Sequence, residues 1–361
     1  MRLVTIETLQ PGMILGKPIY NEKGQILLNE EIELHQPIIN RLLELDIKYV
    51  YVVDGLTNDV KITDPIPAEV KKRAQLTILN TFRDIQSGKS PLGSVVVEKA
   101  SKKFVDLIRT ILEELETKQD LLDLMVDAFA HDEYIFSHSL NVTLYSISLG
   151  IQLKLPKKEL EILGMGAIFH DIGKLNAPKE VLLKPGKLTD EEYEIIKKHA
   201  VDGYDILRKV NTIPLAVAHC AYQHHERLDG SGYPRGMKEK DISNFAKIIA
   251  IADVFDAITS KRVYKEALLP HEGLEILYAG ADMLFDKKMI EAFRLAVAVY
   301  PIGMKLTLSN GYTGIVIGQN IGFGDRPIVR IVKENGKIIK AFDLDLKKSP
   351  SITIIKCSVN N

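Results

Sequence analysis

Cysteine is scarce in this chain of 361 residues: Cys220 and Cys357 are the only two, far apart and in no CxxC spacing. That excludes a disulfide framework and points to a reducing compartment, the cytoplasm. An excess of either charge is also missing, with 47 Lys and Arg against 48 Asp and Glu. No broad basic face for a nucleic-acid polymer is expected, and any anion site has to be local. No stretch approaches about eighteen uninterrupted apolar residues, so no membrane span is expected. The start, "MRLVTIETLQPGMILG", has an acid and a proline where a secretory leader has a basic and then an apolar run. What is there is ordinary for a globular protein, 46% hydrophobic and 26% charged residues, in a chain long enough for two or three compact units and a deep site.

Residues 1–58 alternate apolar and polar positions around "YNEKGQ", then run through "EEIELHQPIINRLLELD" into "KYVYVV", which reads as a small α+β module. A polar, proline-bearing linker follows. Residues 67–129 carry helical periodicity broken at "SGKSPLG" and read as packing or dimer-forming helices, a route to a homodimer. Residues 130–298 stay helical, with breaks at "KLPKK", "LNAPKE", "LLKPGKLT" and "ERLDGSGYPRG". Residues 299–361 are β-branched and alternating, with Asn310-Gly311 and Asn335-Gly336 as hairpin signals, because type I′ turns need positive φ. The fold class is mainly α: an all-helical domain with a small N-terminal α+β module and a small C-terminal β-barrel-like domain.

Five of the nine histidines stand at telling places in the helical region: His138, His170, His199, His224 and His225. "GAIFHDIGK" sets His170 and Asp171 at the end of the apolar run "ELEILGMGAIF", with Gly173 as the expected helix stop. An unpaired carboxylate there would cost roughly several kcal/mol to desolvate, so a cation is expected beside it. The same holds for Asp253 in "AKIIAIADVFDAI", where an acid interrupts a core helix face. Thr189 and Glu192 form a capping box, which starts a helix that carries His199 almost three turns in. His224 and His225 end a helical run that begins near Ile213, and helical neighbours point about 100° apart. Such a pair can serve one polynuclear cluster, and an Asp can bridge two ions. Imidazole with carboxylate suits iron, manganese or zinc. His35, His131, His219 and His271 read as ordinary core or surface groups.

The motifs "HDIGK", "KPGKLT", "HHERLDGSGYP" and "IADVFDAITSKRVY", in this order within residues 130–298, resemble those of the HD-GYP phosphodiesterases. The resemblance implies an all-helical domain that hydrolyses the bacterial messenger cyclic di-GMP to linear pGpG, and on to GMP, at two or three divalent ions, iron or manganese. By motif, the ligands are His138, His170, Asp171, His199, His224, His225 and Asp253, with Asp171 as the bridge. Lys174, Arg262 and Lys265 match positions that meet phosphate oxygens, and Asp171 with Lys174 form the catalytic pair. Gly232, Tyr233 and Pro234 are the naming triplet: the glycines let the chain turn away from the histidines so that Tyr233 borders the substrate cleft. The implied chemistry is in-line attack on phosphorus by a water that two cations have deprotonated. Trimetal relatives carry a glutamate where this chain has Tyr134, which favours two ions over three, although Asp132 and Glu133 stand beside it; Asn141 stands where arginine is common. Two further readings keep the same motifs: a module that binds the cyclic dinucleotide, or a signalling protein through the GYP loop, with little turnover; and an HD hydrolase for another cyclic dinucleotide or nucleotide.

Overall fold

In the computed structural model, residues 1–20, 25–45, 47, 49–60, 62, 66–86, 93–118, 134–184, 186–260 and 268–359 are described. The chain divides into two compact units, one of residues 1–65, 119–130 and 294–361, the other of residues 66–118 and 131–293.

The first unit is built from both ends of the chain. β1 (Arg2–Thr5), β2 (Ile14–Leu15) and β5 (Tyr49–Val53) form an antiparallel sheet in the order β1-β5-β2, and β3 (Ile19–Tyr20) pairs with β4 (Ile26–Leu28). Helix α1 (Gln36–Glu44) turns Ile39 and Leu42 onto this sheet, into a core with Val4, Leu15, Leu34, Val50 and Val52. β6 (Lys305–Leu308), β7 (Tyr312–Gly318), β8 (Ile328–Glu334), β9 (Lys337–Asp345) and β10 (Ile354–Ser358) make a five-stranded antiparallel sheet in the order β10-β6-β7-β8-β9. The barrel-like expectation becomes an open order of strands: among the described residues, β9 and β10 stand at opposite ends of the sheet. The turn at Asn335-Gly336 has both residues at positive φ, as a type I′ hairpin requires, whereas at Asn310-Gly311 only the glycine does, at the end of a three-residue connection. The two sheets meet through the Leu3 N–H, which donates to Gly303 O, and through the Arg330 guanidinium, which spans Asp59 and Asp343.

The second unit is helical. α2 (Ala68–Gln86) and α3 (Gly93–Lys118) pack with α4 (Tyr134–Gln152) and α5 (Lys157–Phe169) through Phe82, Phe104, Phe136 and Phe169, whose rings meet at centroid distances of 4.7–6.3 Å. The helices before residue 119 are thus part of the floor beneath the His-Asp motif, since Phe169 directly precedes His170. A 3-10 turn (Ile172–Asn176) and the short α6 (Lys179–Leu182) lead to α7 (Asp190–Lys197), where the Thr189–Glu192 capping box is present on both its arms. The helix does not run on to carry His199 in its third turn: it breaks at Lys198, and His199 opens α8 (His199–Leu207). α9 (Leu215–Gln223) delivers His224 at its C-cap. α10 (Asn244–Thr259), α11 (Pro270–Ala279) and α12 (Lys287–Ala296) complete the unit, with Tyr145, Phe255 and Phe293 as a second aromatic core at 4.9–5.9 Å. Among the described residues, no helix is long and apolar enough to cross a membrane.

Candidate metal centre

Residues far apart in sequence converge in the helical unit. His138 comes from the buried face of α4, His170 and Asp171 from the end of α5, His199 from the start of α8, His224 and His225 from the end of α9, and Asp253 from the middle of α10. Gly173 makes the convergence possible, although not as a helix stop, since α5 ends at Phe169 with His170 as its cap. It lies in the 3-10 turn, where a Cβ would fall 2.0 Å from His199 O and 2.6 Å from Gly203 N. Only a residue without a side chain lets α8 approach this closely.

Asp171 is the hub. Its Oδ2 lies 3.4 Å from His170 Nε2 and 3.6 Å from His138 Nε2, and its Oδ1 lies 3.3 Å from His199 Nε2 and 3.7 Å from His224 Nε2. Two groups with metal-ligand geometry share this carboxylate: His138, His170 and Asp171 form one, and Asp171, His199, His224 and His225 the other. Asp253 adjoins both, with Oδ1 3.1 Å from His138 Nε2 and Oδ2 3.9 Å from His225 Nδ1.

The hydrogen bonds settle which ring nitrogens are free. The Nδ1 atoms of His170, His199 and His224 donate to Ala167 O, Ile196 O and Ala221 O at 2.7–2.9 Å, because a carbonyl can only accept. A neutral ring then presents its Nε2 as a lone pair, and these lone pairs face carboxylate oxygens and one another, His199 and His224 at 3.3 Å. Asp171 Oδ1 and His170 Nε2 are buried without a hydrogen bond. Acceptors facing acceptors in a dry interior are costly unless a cation lies among them, and the donor set, imidazole with carboxylate, is one that divalent iron, manganese or zinc takes. These residues fit a metal centre.

The protonation states agree with this. Burial holds His199 down to about 3 and lowers His224, while burial and the neighbouring His224 hold His225 well below the ordinary histidine range. Burial alone would raise the carboxyls of Asp171 and Asp253. For Asp171, the Lys174 ammonium reverses this, and for Asp253, the hydrogen bond with His138 does, so both stay well below the usual carboxylate range. Burial would lower His138, but hydrogen bonds to Asp253 and Asp256 outweigh it and raise the ring.

Lys174 reaches back to Asp171, with Nζ 2.5 Å from Oδ2. Tyr233 lies on His225, nearly parallel, with ring centroids 4.6 Å apart, and 6.2 Å from the His199 ring. Gly232 is required there: a Cβ would lie 2.4 Å from His225 O and 2.5 Å from Arg227 N. Pro234 follows Tyr233 through a cis peptide bond. Arg262 and Lys265, and the Asp132 and Glu133 positions, lie outside the described residues, as does His131, while the side chain of Tyr134 is not described.

Two residues not singled out from the sequence, Asp256 and Glu226, support the centre, and Asn141, noted there for standing in place of an arginine, joins them. Asp256, one turn after Asp253 on α10, meets His138 Nδ1 at 2.7 Å through Oδ2, and Asn141 Nδ2 donates to its Oδ1 at 3.0 Å. A second acid at i+3 on an otherwise apolar helix was the available signal. Glu226, buried and next to the histidine pair, turns its carboxylate away from them to accept the N–H groups of Arg235 and Met237, both at 2.8 Å. It ties down the loop that carries Gly232 and Tyr233.

Residues 119–289 match the HD domain family. A cyclic di-GMP phosphodiesterase of Pseudomonas aeruginosa is 34% identical over 248 residues, 69% of this chain and 58% of the relative. The cyclic di-GMP phosphodiesterase response regulator RpfG of Xanthomonas campestris is 46% identical over 142 residues, 39% of this chain and 38% of the relative. A 3'3'-cGAMP-specific phosphodiesterase of Vibrio cholerae is 34% identical over 185 residues, 50% of this chain and 40% of the relative. The chain thus spans 58% or less of the length of these relatives. Residues 119–289 of this chain therefore carry the match to the HD domain family, and the metal-ligand motifs described above lie within them.

Proposed function

We propose that the helical unit is a two-metal phosphodiesterase that opens a cyclic dinucleotide, cyclic di-GMP, to its linear form. One observation carries the proposal: the two oxygens of Asp171 face two separate pairs of histidine Nε2 atoms, so a single carboxylate can bridge two ions. His138, His170 and Asp253 would complete one side, and His199, His224 and His225 the other. Divalent iron or manganese bound there would supply Lewis acidity to the phosphoryl oxygens and lower the pKa of a water enough for it to attack phosphorus at neutral pH. The chain orients and excludes: backbone carbonyls fix three of the imidazoles as Nε2 ligands, and the buried walls keep bulk water from competing. Lys174 brings the positive charge nearest to Asp171, and with Arg262 and Lys265 it would offset charge on the equatorial oxygens. Tyr233, flat on His225, would border the nucleobase.

The similarity to cGAMP-specific enzymes favours one second reading, in which the same centre acts on a mixed cyclic dinucleotide. Turnover of cyclic di-GMP and of 3'3'-cGAMP by anaerobically purified full chain, with a metal count on the same sample and chromatography of the products, decides between them. The expected result is about two metals per chain with linear pGpG as product, and loss of both metal and turnover in Asp171→Ala. Bound metal with every cyclic dinucleotide intact would overturn the enzyme reading. Undiminished turnover in a folded Asp171→Ala protein would overturn the role of the hub.

A further inference from the structure

Four of the converging rings have a described partner at Nδ1, and three of these partners are backbone carbonyls three residues before the ring in the chain. Local backbone orients those three: α5 for His170, α9 for His224, and the junction of α7 and α8 for His199. His138 differs: its Nδ1 meets a side chain from another helix, Asp256 Oδ2 on α10, at 2.7 Å. We infer that Asp256 is a positioning residue that directs the lone pair of His138 into the centre, and that one of the two metal positions depends on it. The inference rests on the two-metal reading and adds to it a group that lies outside the ligand set.

The geometry around Asp256 supports this. Its Oδ1 accepts from Asn141 Nδ2 and from Ser260 Oγ, both at 3.0 Å, while its Oδ2 takes His138 Nδ1. The carboxylate is 1% exposed, and both of its oxygens are engaged by donors. It is satisfied by hydrogen bonds, in contrast to Asp171, whose Oδ1 has none. Such a carboxylate holds a ring rather than an ion.

The placement is also periodic. Asn141 follows His138 by three residues on α4, and Asp256 follows Asp253 by three on α10, so each helix presents both members of its pair on one face. His138 is gripped from both sides, by Asp256 at Nδ1 and by Asp253 Oδ1 3.1 Å from Nε2. A proton on Nδ1 bonded to Asp256 leaves Nε2 as the ligand atom. Without Asp256 the ring is free to turn, or to place its proton on Nε2 against Asp253, and either change removes a ligand from the side formed with His170. The other side keeps His199 and His224, both fixed by backbone carbonyls, along with His225.

The test is a cobalt titration of the full chain in competition with a chelator, read by the visible absorption of bound Co2+ and by stoichiometry at equilibrium. Wild type is expected to take two equivalents. Asp256→Ala should retain one equivalent unchanged and bind the other about 10- to 100-fold more weakly. Asp256→Asn, which keeps an acceptor without the charge and keeps the side-chain volume, should fall between. A purely structural role for Asp256 would weaken both equivalents together. Should the alanine variant not fold, the asparagine variant carries the test alone. Two equivalents with wild-type midpoints in a folded variant overturn the inference while leaving the two-metal reading standing; no cobalt bound by wild type overturns both.

Discussion

Two glycines separate holding metal from shaping the cleft. At Gly173 an added methyl would strike the backbone of His199, 2.0 Å away, and push α8 off the hub. At Gly232 it would strike the backbone of His225 and Arg227 within a loop, on the side where Tyr233 rests. Gly173→Ala should therefore lose bound metal together with turnover, and lose about 1–3 kcal/mol of stability from overpacking. Gly232→Ala should keep its metal and lose up to about 100-fold in turnover, because about an ångström of misplacement near a reacting group can cost that much. Metal counts and initial rates on the two purified variants check the contrast. Equal metal retention in both would contradict the role given to Gly173.

At the scale of elements, the loop after α9 is held by one buried carboxylate. Glu226 accepts two backbone N–H groups, from Arg235 and Met237, and Arg227 closes the other side by donating to His224 O and Glu226 O while lying over Phe285. Glu226→Gln puts an amide NH2 against one of those N–H groups, and a buried donor left facing a donor costs about 1–3 kcal/mol. The expected result is local: faster amide hydrogen exchange at Arg235 and Met237, with α4, α5 and α10 unchanged. Exchange as slow as in wild type at both positions would show that the loop does not depend on this anchor. α5 is tied differently, through Phe169 on Phe82 and Phe104, so the His-Asp motif inherits its position from the aromatic floor rather than from a loop.

For the whole molecule, pH should separate folded from unfolded by the number of buried rings. His199, His224 and His225 are kept neutral by burial, His199 down to about 3, against an ordinary histidine value of 6.5. Between those values the unfolded chain binds more protons than the folded one, so stability falls as pH drops through this window. His138, raised by Asp253 and Asp256, opposes the trend with a single ring. Asp171 and Asp253, with depressed carboxyls, lose their contribution only below the ordinary carboxylate value of 3.8. Metal-stripped protein is expected to melt at a lower temperature at pH 5 than at pH 7. An equal or higher melting temperature at pH 5 would mean that these rings carry protons in the folded state.

The helical unit was the more legible part of the sequence. The cluster could be read because its members fall in contiguous motifs, such as "HDIGK" and the histidine pair, where an acid or imidazole interrupts an apolar run. Asp256 was passed over because its meaning lies in a contact with His138 from 118 residues away, which no local period reveals. The break at Lys198 was hidden within a helical pattern that continues on both sides. At the ends of the chain, alternation and Asn-Gly turns announced the strands, but not that the first and last segments share one compact unit, since the bond from Leu3 to Gly303 is a tertiary fact.

The hub at Asp171 gathers side chains from α4, α5, α8 and α9 at one point, and α10 joins them through Asp253 beside His138. On the two-metal reading, one bound ion would fasten parts of the chain as widely separated as His138 and Asp253, and the other parts from Asp171 to His225. A ligand present at a hundredfold excess over its dissociation constant adds about 2.7 kcal/mol to the folded state. Metal supply would then govern the lifetime of the chain as well as its rate of turnover: starved of iron or manganese, a cell would find this protein opening more often and falling sooner to its proteases, so that its abundance would record the metal economy.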